Sequence, residues 1–335
     1  MPVPLVLTTW RKREYQNPPE KQESKAASSR KGIFNWDGLF YLATKGSAVV
    51  IAAVLALVAM FLTMQAWPAI SNPDLRLRMR GRTEMVSIWE YVAPQLFGTV
   101  LAAAIALAIA LPLSIALAIF INFYAPQKIS AIIAGLIDVM VAIPSVVYGL
   151  WGGLVLLPIL QPIMEFLATY FGWFPLFSGP VSPIGRVIFS ASVVLAIMVI
   201  PIITALCREV YARAPSLEME AALALGATKW EMIKTVVLPF GRSGTVSAAM
   251  IGLGRALGET MAVAMVLSPG ASYVWSLFRA GAHSTIASNI ALQFPEADSN
   301  MAAALIFTGL VLFMLTLLVN SGARWLVARK ESAGK

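Results

Sequence analysis

The sequence predicts an all-α integral membrane protein with six transmembrane helices, and three observations predict it. Hydrophobic residues form 59% of the chain and charged residues 13%, against about 45–50% and about 25% in an ordinary soluble domain. Stretches 47–67, 96–122, 187–207 and 301–323 carry no charge, 130–157 carries only Asp138, and 243–267 carries only Arg255 and Glu259. Each is long enough to cross a hydrocarbon core, for which about 20 apolar residues suffice. Finally, with both termini in the cytosol, 18 Lys and Arg fall inside and six outside, as the positive-inside rule requires.

Residues 1–46 are polar and hold Arg11, Lys12, Arg13, Lys21, Lys25, Arg30 and Lys31. A cleaved signal peptide would need an apolar run near the start, and these residues are polar, so a disordered cytosolic arm is expected. The net charge of +8 follows from topology and calls for no nucleic acid. Arg76, Arg78, Arg80 and Arg82 depart from the charge rule in the first external loop. They read either as a solvated or headgroup-facing loop or as a surface attractive to an anion or an acidic partner. The single Cys207 excludes an internal disulfide and a cysteine metal cluster. With His283 the single histidine, histidine-based zinc chemistry has no ligand set, and no metal site is expected.

Pro112, Pro144 and Pro201 lie inside three spans. Membrane helices tolerate such breaks where protein or water satisfies the freed backbone, which suggests a bundle around an internal pathway, with Pro144 setting a kink. Residues 161–180, with six aromatic side chains, Glu165 and several prolines, fit an external interfacial segment. A seventh span there would put Arg324, Arg329 and Lys330 on the wrong side. The permease domain is therefore read as 47–327, with a cytosolic tail at 328–335.

Residues 215–239 form a cytosolic element between the fourth and fifth spans. Pro215 suits a first helical position, with Glu218 and Glu220 near the positive end of the helix dipole. Gly226 can take the left-handed conformation that closes the helix. Thr228 and Glu231 have the spacing of a capping box that opens a second helix, and Pro239 is expected to end it. Ala221, Ala222, Leu225, Trp230, Ile233 and Val237 are too many apolar residues for two short helices to hide. Either the hairpin packs under its own bundle or it offers a partner a surface, with Trp230 and Met232 as anchors.

Residues 252–263, GLGRALGETMAV, place two ions within a span. Each costs about 2.5–3.5 kcal/mol at a helix centre on insertion scales, so each needs a reason. On a continuous helix, positions 255 and 259 share one face and can pair, and the GxxxG spacing of Gly254 and Gly258 admits a close backbone. One reading is a self-neutralised pair that locks two helices. The other is an anion pathway, because a guanidinium matches phosphate or carboxylate geometry, with Glu259 orienting and balancing Arg255.

Residues 220–239 resemble the EAA motif of permease subunits in ABC importers. Its pattern is E-A-A, three residues, G, nine residues, I, one residue, L-P. Glu220, Ala221, Ala222, Gly226, Leu238 and Pro239 match it, and Val236 replaces the isoleucine. The resemblance implies a type I ABC importer (MetI-like) fold, in which this element is a coupling helix seated in the ATP-binding subunit, with Trp230 among its contacts. The chain contains no P-loop of the form G-x-x-x-x-G-K-[ST]. ATP and Mg are thus expected on partner subunits, with no cofactor in this chain and no enzyme activity of its own.

The G-R-A-x-G-E-T stretch ending at Thr260, the IPSVVYGLWG stretch at 143–152 and Asp138 shortly before it are similar to the phosphate-specific branch of these permeases. The resemblance covers about residues 90–327 and implies that Arg255, Glu259 and Thr260 line a phosphate route. Asp138, Pro144, Ser145 and Tyr148 are candidates for either the route or helix packing. It also implies a second homologous permease, two ATP-binding cassette subunits, an external phosphate-binding protein and a bacterial inner-membrane location. Rival readings are a permease for sulfate, molybdate or amino acids, an ATP-independent channel or secondary transporter, and a membrane scaffold or sensor.

Overall fold

The computed structural model describes residues 36–72, 77–78 and 85–333. By its internal contacts the chain divides into Met1–Leu57 and Val58–Lys335. The described part of the first unit belongs to helix α1, Trp36–Ser71, whose apolar side chains there, Phe40, Val50 and Leu57 among them, are exposed. Thr44 and Ser47 donate to the carbonyls one turn back, at 2.8 and 2.9 Å, so neither hydroxyl is left unpaired in an apolar setting. Residues 1–35 of the expected N-terminal arm lie outside the described residues. Residues 36–46 are helical, because the 36-residue α1 is about 54 Å long and a charge-free stretch marks only the part that lipid would immerse.

The second unit is a helical bundle. A two-stranded antiparallel ribbon, β1 (Leu77–Arg78) with β2 (Met85–Val86), stands in the arginine-rich loop; Arg76, Arg80 and Arg82 lie outside the described residues. Helix α2, Ile88–Ile119, starts with a capping box between Ser87 and Glu90. It runs on through Pro112 into a π-helical turn, Phe120–Tyr124. Its buried face is a run of small residues, including Ala102, Ala103, Ala106, Ala110 and Ser114, and packs against α6, Ile188–Ala212. There the Ser114 hydroxyl donates to the Ile200 carbonyl at 3.1 Å.

The expected third span, 130–157, is not one helix. Helix α3, Gln127–Ala142, stops at Ile143, whose backbone is extended, and Pro144 caps a new helix instead of kinking the old one. A residue before proline is pushed out of the helical region by the ring. Helix α4, Ser145–Trp151, passes through the π-helical segment Gly152–Leu156 into α5, Leu157–Phe171. Ser145–Phe171 is the helix of membrane length, so 161–171, the first part of the expected external interfacial segment, is helical. Pro158 and Pro162 are both taken into this continuous helical run, which is why proline density there misleads.

After α6 come α7 (Ser216–Ala224), α8 (Lys229–Met232), the π-helical turn Ile233–Val237 and α9 (Leu238–Phe240). Helix α9 shows that Pro239 sits within a helical turn and does not end it. The chain then bends by 68° into α10, Arg242–Gly258. The expected fifth span is broken again, because α10 ends at Gly258 and α11 runs Met261–Val266. Short α12 (Ile286–Gln293) precedes α13, Ser299–Ala333, a helix that takes in most of the expected C-terminal tail. Among the described residues five helices are long and apolar enough to span, and six if the bent pair counts as one.

Helix α6 is the most enclosed of the long helices. Met164, Leu195, Val199, Ile203, Ile233 and Phe278 join it in the main core, while Tyr91, Val92, Ala304 and Leu305 belong to a second cluster. Helix α10 lies unusually close to α6. A Cβ added to Gly244 would stand 2.5 Å from a Val210 methyl, and one added to Gly252 would stand 2.6 Å from a Val199 methyl. Glycine is what lets the two axes approach. Gly252→Leu is expected to destabilise the bundle by about 1–3 kcal/mol through overpacking, read as a lower unfolding midpoint in detergent. An unchanged midpoint would refute the close contact.

Candidate functional site

The hairpin between α6 and α10 is built from the turn chemistry that its sequence encodes. Pro215 caps α7, one residue ahead of the expected first helical position. Gly226 has φ +88, which a side chain adopts only with strain, and the Ala227 amide donates back to Ala222 at 3.1 Å. Thr228 and Glu231 form the full capping box. The Thr228 amide and hydroxyl each donate to Glu231 Oε2 at 2.7 Å, and the Glu231 amide donates to Thr228 Oγ1 at 3.3 Å. The backbone amide of Thr228, and then its hydroxyl, hold the Glu231 carboxyl below its ordinary range. Lys229 Nζ lies 5.3 Å from the Tyr124 ring centroid, joining the hairpin to the end of the α2 span.

The hairpin has an inner and an outer face. Met232, Ile233 and Val237 are buried in the main core, with Met219 and Ala222 packed beside them. Met232 therefore anchors the hairpin to its own bundle and is not available to a partner, because the helical period turns it opposite Trp230. Val236 and Leu238 are half-buried, whereas Glu220, Ala221 and Pro239 are exposed. Leu217, Leu225 and Trp230 stand 79%, 90% and 53% exposed, too much clustered apolar surface for an element with no partner.

At the second location, helix α10 ends one residue before Glu259. The Glu259 backbone is extended, so positions 255 and 259 no longer share a helix face, and the expected ion pair does not form. The buried Glu259 carboxylate accepts the Ala262 amide at 3.1 Å instead, capping α11. Thr260 Oγ1 donates to the Gly258 carbonyl at 3.1 Å. Arg255 is left with a buried Nε that has no hydrogen-bond partner. Nor does another backbone of this chain approach Gly254 or Gly258, whose Cβ positions face open space.

Tyr148 of α4 is within electrostatic reach of Arg255, and its hydroxyl donates to the Met140 carbonyl at 2.9 Å. Pro144 and Ser145 form the start of that helix. The structure thus gathers Arg255 and Tyr148, with Glu259 and Thr260 on the adjoining break. Asp138 belongs elsewhere: it pairs with Arg208 at 3.6 Å. Sequence reasoning counted Arg208 only as an inside charge. Its position four residues before the end of a span whose other charge is Glu209 was the available signal.

Membrane-length helices, a hairpin with an open apolar face and an unneutralised arginine inside the bundle are the parts of a transport component driven from outside the membrane. Residues 110–332 match the family described as binding-protein-dependent transport system inner membrane component, and the chain belongs to that family. It is 41% identical over 299 residues to the phosphate transport system permease protein PstC 2 of Mycobacterium tuberculosis (strain ATCC 25618 / H37Rv), covering 87% of this chain and 92% of that one. It is 46% identical over 230 residues to the phosphate transport system permease protein PstC of Mycobacterium leprae (strain TN), covering 68% and 72%. To the protein of that name in Pasteurella multocida (strain Pm70) it is 36% identical over 314 residues, covering 93% and 98%.

The cap makes a direct prediction. Thr228→Ala should cost about 1 kcal/mol locally, seen as roughly fivefold faster amide exchange over 229–232; unchanged exchange would refute the cap. Because the Glu231 carboxyl is depressed, its contribution is complete above the ordinary carboxylate range. Protection, taken relative to the intrinsic exchange rate at each pH, should fall only as pH drops through the lowered value.

Proposed function

We propose that this chain is the transmembrane permease subunit of an ATP-driven importer of inorganic phosphate. The observation that carries the reading is Arg255, buried at Nε without a partner while Glu259 caps a helix. A guanidinium in hydrocarbon without a counter-ion is costly. An oxyanion supplies the missing charge and accepts its planar donors, and phosphate is the substrate class that the names of the similar proteins carry. Arg255 binds the anion, Thr260 offers a hydroxyl at the helix break, and Tyr148 lines the same wall. Glu259 holds α11 in place, so that the break and the arginine keep their relation.

The motor is separate. Two ATP-binding cassette subunits bind ATP and Mg, one of them docking on Leu217, Leu225 and Trp230, and a second homologous permease completes the pathway. An external phosphate-binding protein delivers the substrate, and both termini face the cytosol of a bacterial inner membrane. Movement at the hairpin passes to the bundle because Met232, Ile233 and Val237 are embedded in the core and only the bend at Gly241 separates α9 from α10. Closure of the nucleotide sites shifts the bundle to the extent that the closed motor binds one permease conformation better than the other.

Two measurements test this. Arg255→Gln should lower labelled-phosphate uptake to roughly 1% or less, the scale of losing a buried charge partner, with the ATP-binding subunits still co-purifying. Near-normal uptake, or wild-type uptake that sulfate competes away, would overturn the reading. Gly226→Val, strained by about 1–3 kcal/mol at this turn, should release the ATP-binding subunit or uncouple its hydrolysis from uptake. Intact coupling would rule out docking at the hairpin.

A further inference from the structure

A second basic site lies away from Arg255. Between α3, the π-helical turn Phe120–Tyr124 and the C-terminal end of α6 is a cavity of ≈ 700 Å³, many times the volume of one water, about 30 Å³. Its charged lining consists of Asp138, Arg208 and Glu209, with Asn122, Gln127 and Ser130 as the neutral polar residues. Glu209 is occupied by Arg213 in an ion pair one helical turn away. Arg208 therefore has one counter-ion in the cavity, Asp138, at 3.6 Å, and that carboxylate is 61% exposed. Arg208 Nη1 is buried without any hydrogen-bond partner.

The arginine is held firmly and its counter-ion loosely. Asn122 Nδ2 donates to the Arg208 carbonyl at 2.8 Å, tying the backbone there to the end of the α2 span. Asp138 meets it at the outer limit of an ion pair and projects from α3, which buries one residue, Ile137. Gln127 and Ser130 lie in the first turn of α3, whose cap Pro126 supplies no side-chain acceptor to the helix amides. The cavity thus offers the Arg208 guanidinium, a hydroxyl and a carboxamide around a space larger than Asp138 fills.

The position lies toward the cytosol from Arg255. Gly252 of α10 packs at Val199 and Ile203, and Gly244 packs at Val210. Arg208 is thus near the level of Gly244, 11 residues before Arg255 and about 16 Å from it along the helix.

We infer that this cavity is a phosphate-group site in which Arg208 is the ligand and Asp138 the counter-ion that a bound phosphate group displaces. Fork geometry favours an acceptor with two or more charged oxygens over the single distant carboxylate contact seen here. Two sources carry that chemistry at this depth: inorganic phosphate leaving the pathway, and the headgroup of an anionic lipid in the inner leaflet. The first source rests on the proposed function; the site does not.

The test uses the full importer complex in nanodiscs. In phosphatidylcholine alone, radiolabelled inorganic phosphate is measured in the Arg255→Gln background with and without Arg208→Gln. In discs containing one-third phosphatidylglycerol, native mass spectrometry counts retained phosphatidylglycerol in wild type and Arg208→Gln. Loss of roughly tenfold in one arm, the scale of a charge-assisted hydrogen bond, supports the site and names its source. Equal binding with and without Arg208 in both arms overturns it. Asp138→Asn, which removes the competitor and keeps the shape, should raise retention in the same arm; no rise overturns the displacement, including where Arg208→Gln fails to assemble. Wild-type uptake of phosphate is recorded on the same complex reconstituted into sealed vesicles. Its absence alongside Arg208-dependent lipid retention refutes the proposed function and leaves the site standing.

Discussion

Hydrocarbon offers a polar group no water, so each one must be satisfied by the protein itself, and this constraint organises the whole bundle. Hydroxyls along α1 bond one turn back, Ser114 bonds across to α6, and Asn122 takes the Arg208 carbonyl. The same demand explains Glu259. Once α10 stops at Gly258, the start of α11 exposes amides in the middle of a span, and the carboxylate turns to one of them. Among the described residues six buried side-chain atoms have no hydrogen-bond partner, on Gln95, Thr204, His283, Ser284, Arg255 and Arg208, and the last two belong to guanidinium groups.

Helix breaks concentrate where function is argued. The chain interrupts α3–α4 at Ile143 and Pro144, α9–α10 at Gly241, and α10–α11 at Glu259 and Thr260. Tyr148 follows the first break and Arg255 precedes the last, so irregular backbone flanks the place where an ion would pass. Continuous helices, by contrast, form the outer and central supports, with α6 running unbroken through Pro201.

The hairpin divides its apolar residues between two tasks. Ile233 and Val237 root it in the bundle, while Leu225 and Trp230 remain in the open. Neither of the two readings that the composition allowed was complete, since the hairpin both packs under its own bundle and keeps a free face. The backbone at Gly226 and the box at Thr228 set the angle between those faces.

Much of this was legible in the chain itself. Charge-free length predicts membrane spans because lipid excludes charge, and local turn chemistry predicts Gly226 and the Thr228–Glu231 cap because those contacts span only a few residues. Tertiary structure decided the rest. Spacing placed Glu259 on the face of Arg255, but the helix ends between them, and a backbone amide with no other partner outweighs a neighbouring charge. Proline position could not tell the kink expected at Pro144 from a break, nor the end of a helix from a bend two residues beyond Pro239. The pairing of Asp138 with Arg208, 70 residues apart in the sequence, has no local signature, because only the packing of α3 on α6 brings the two charges together.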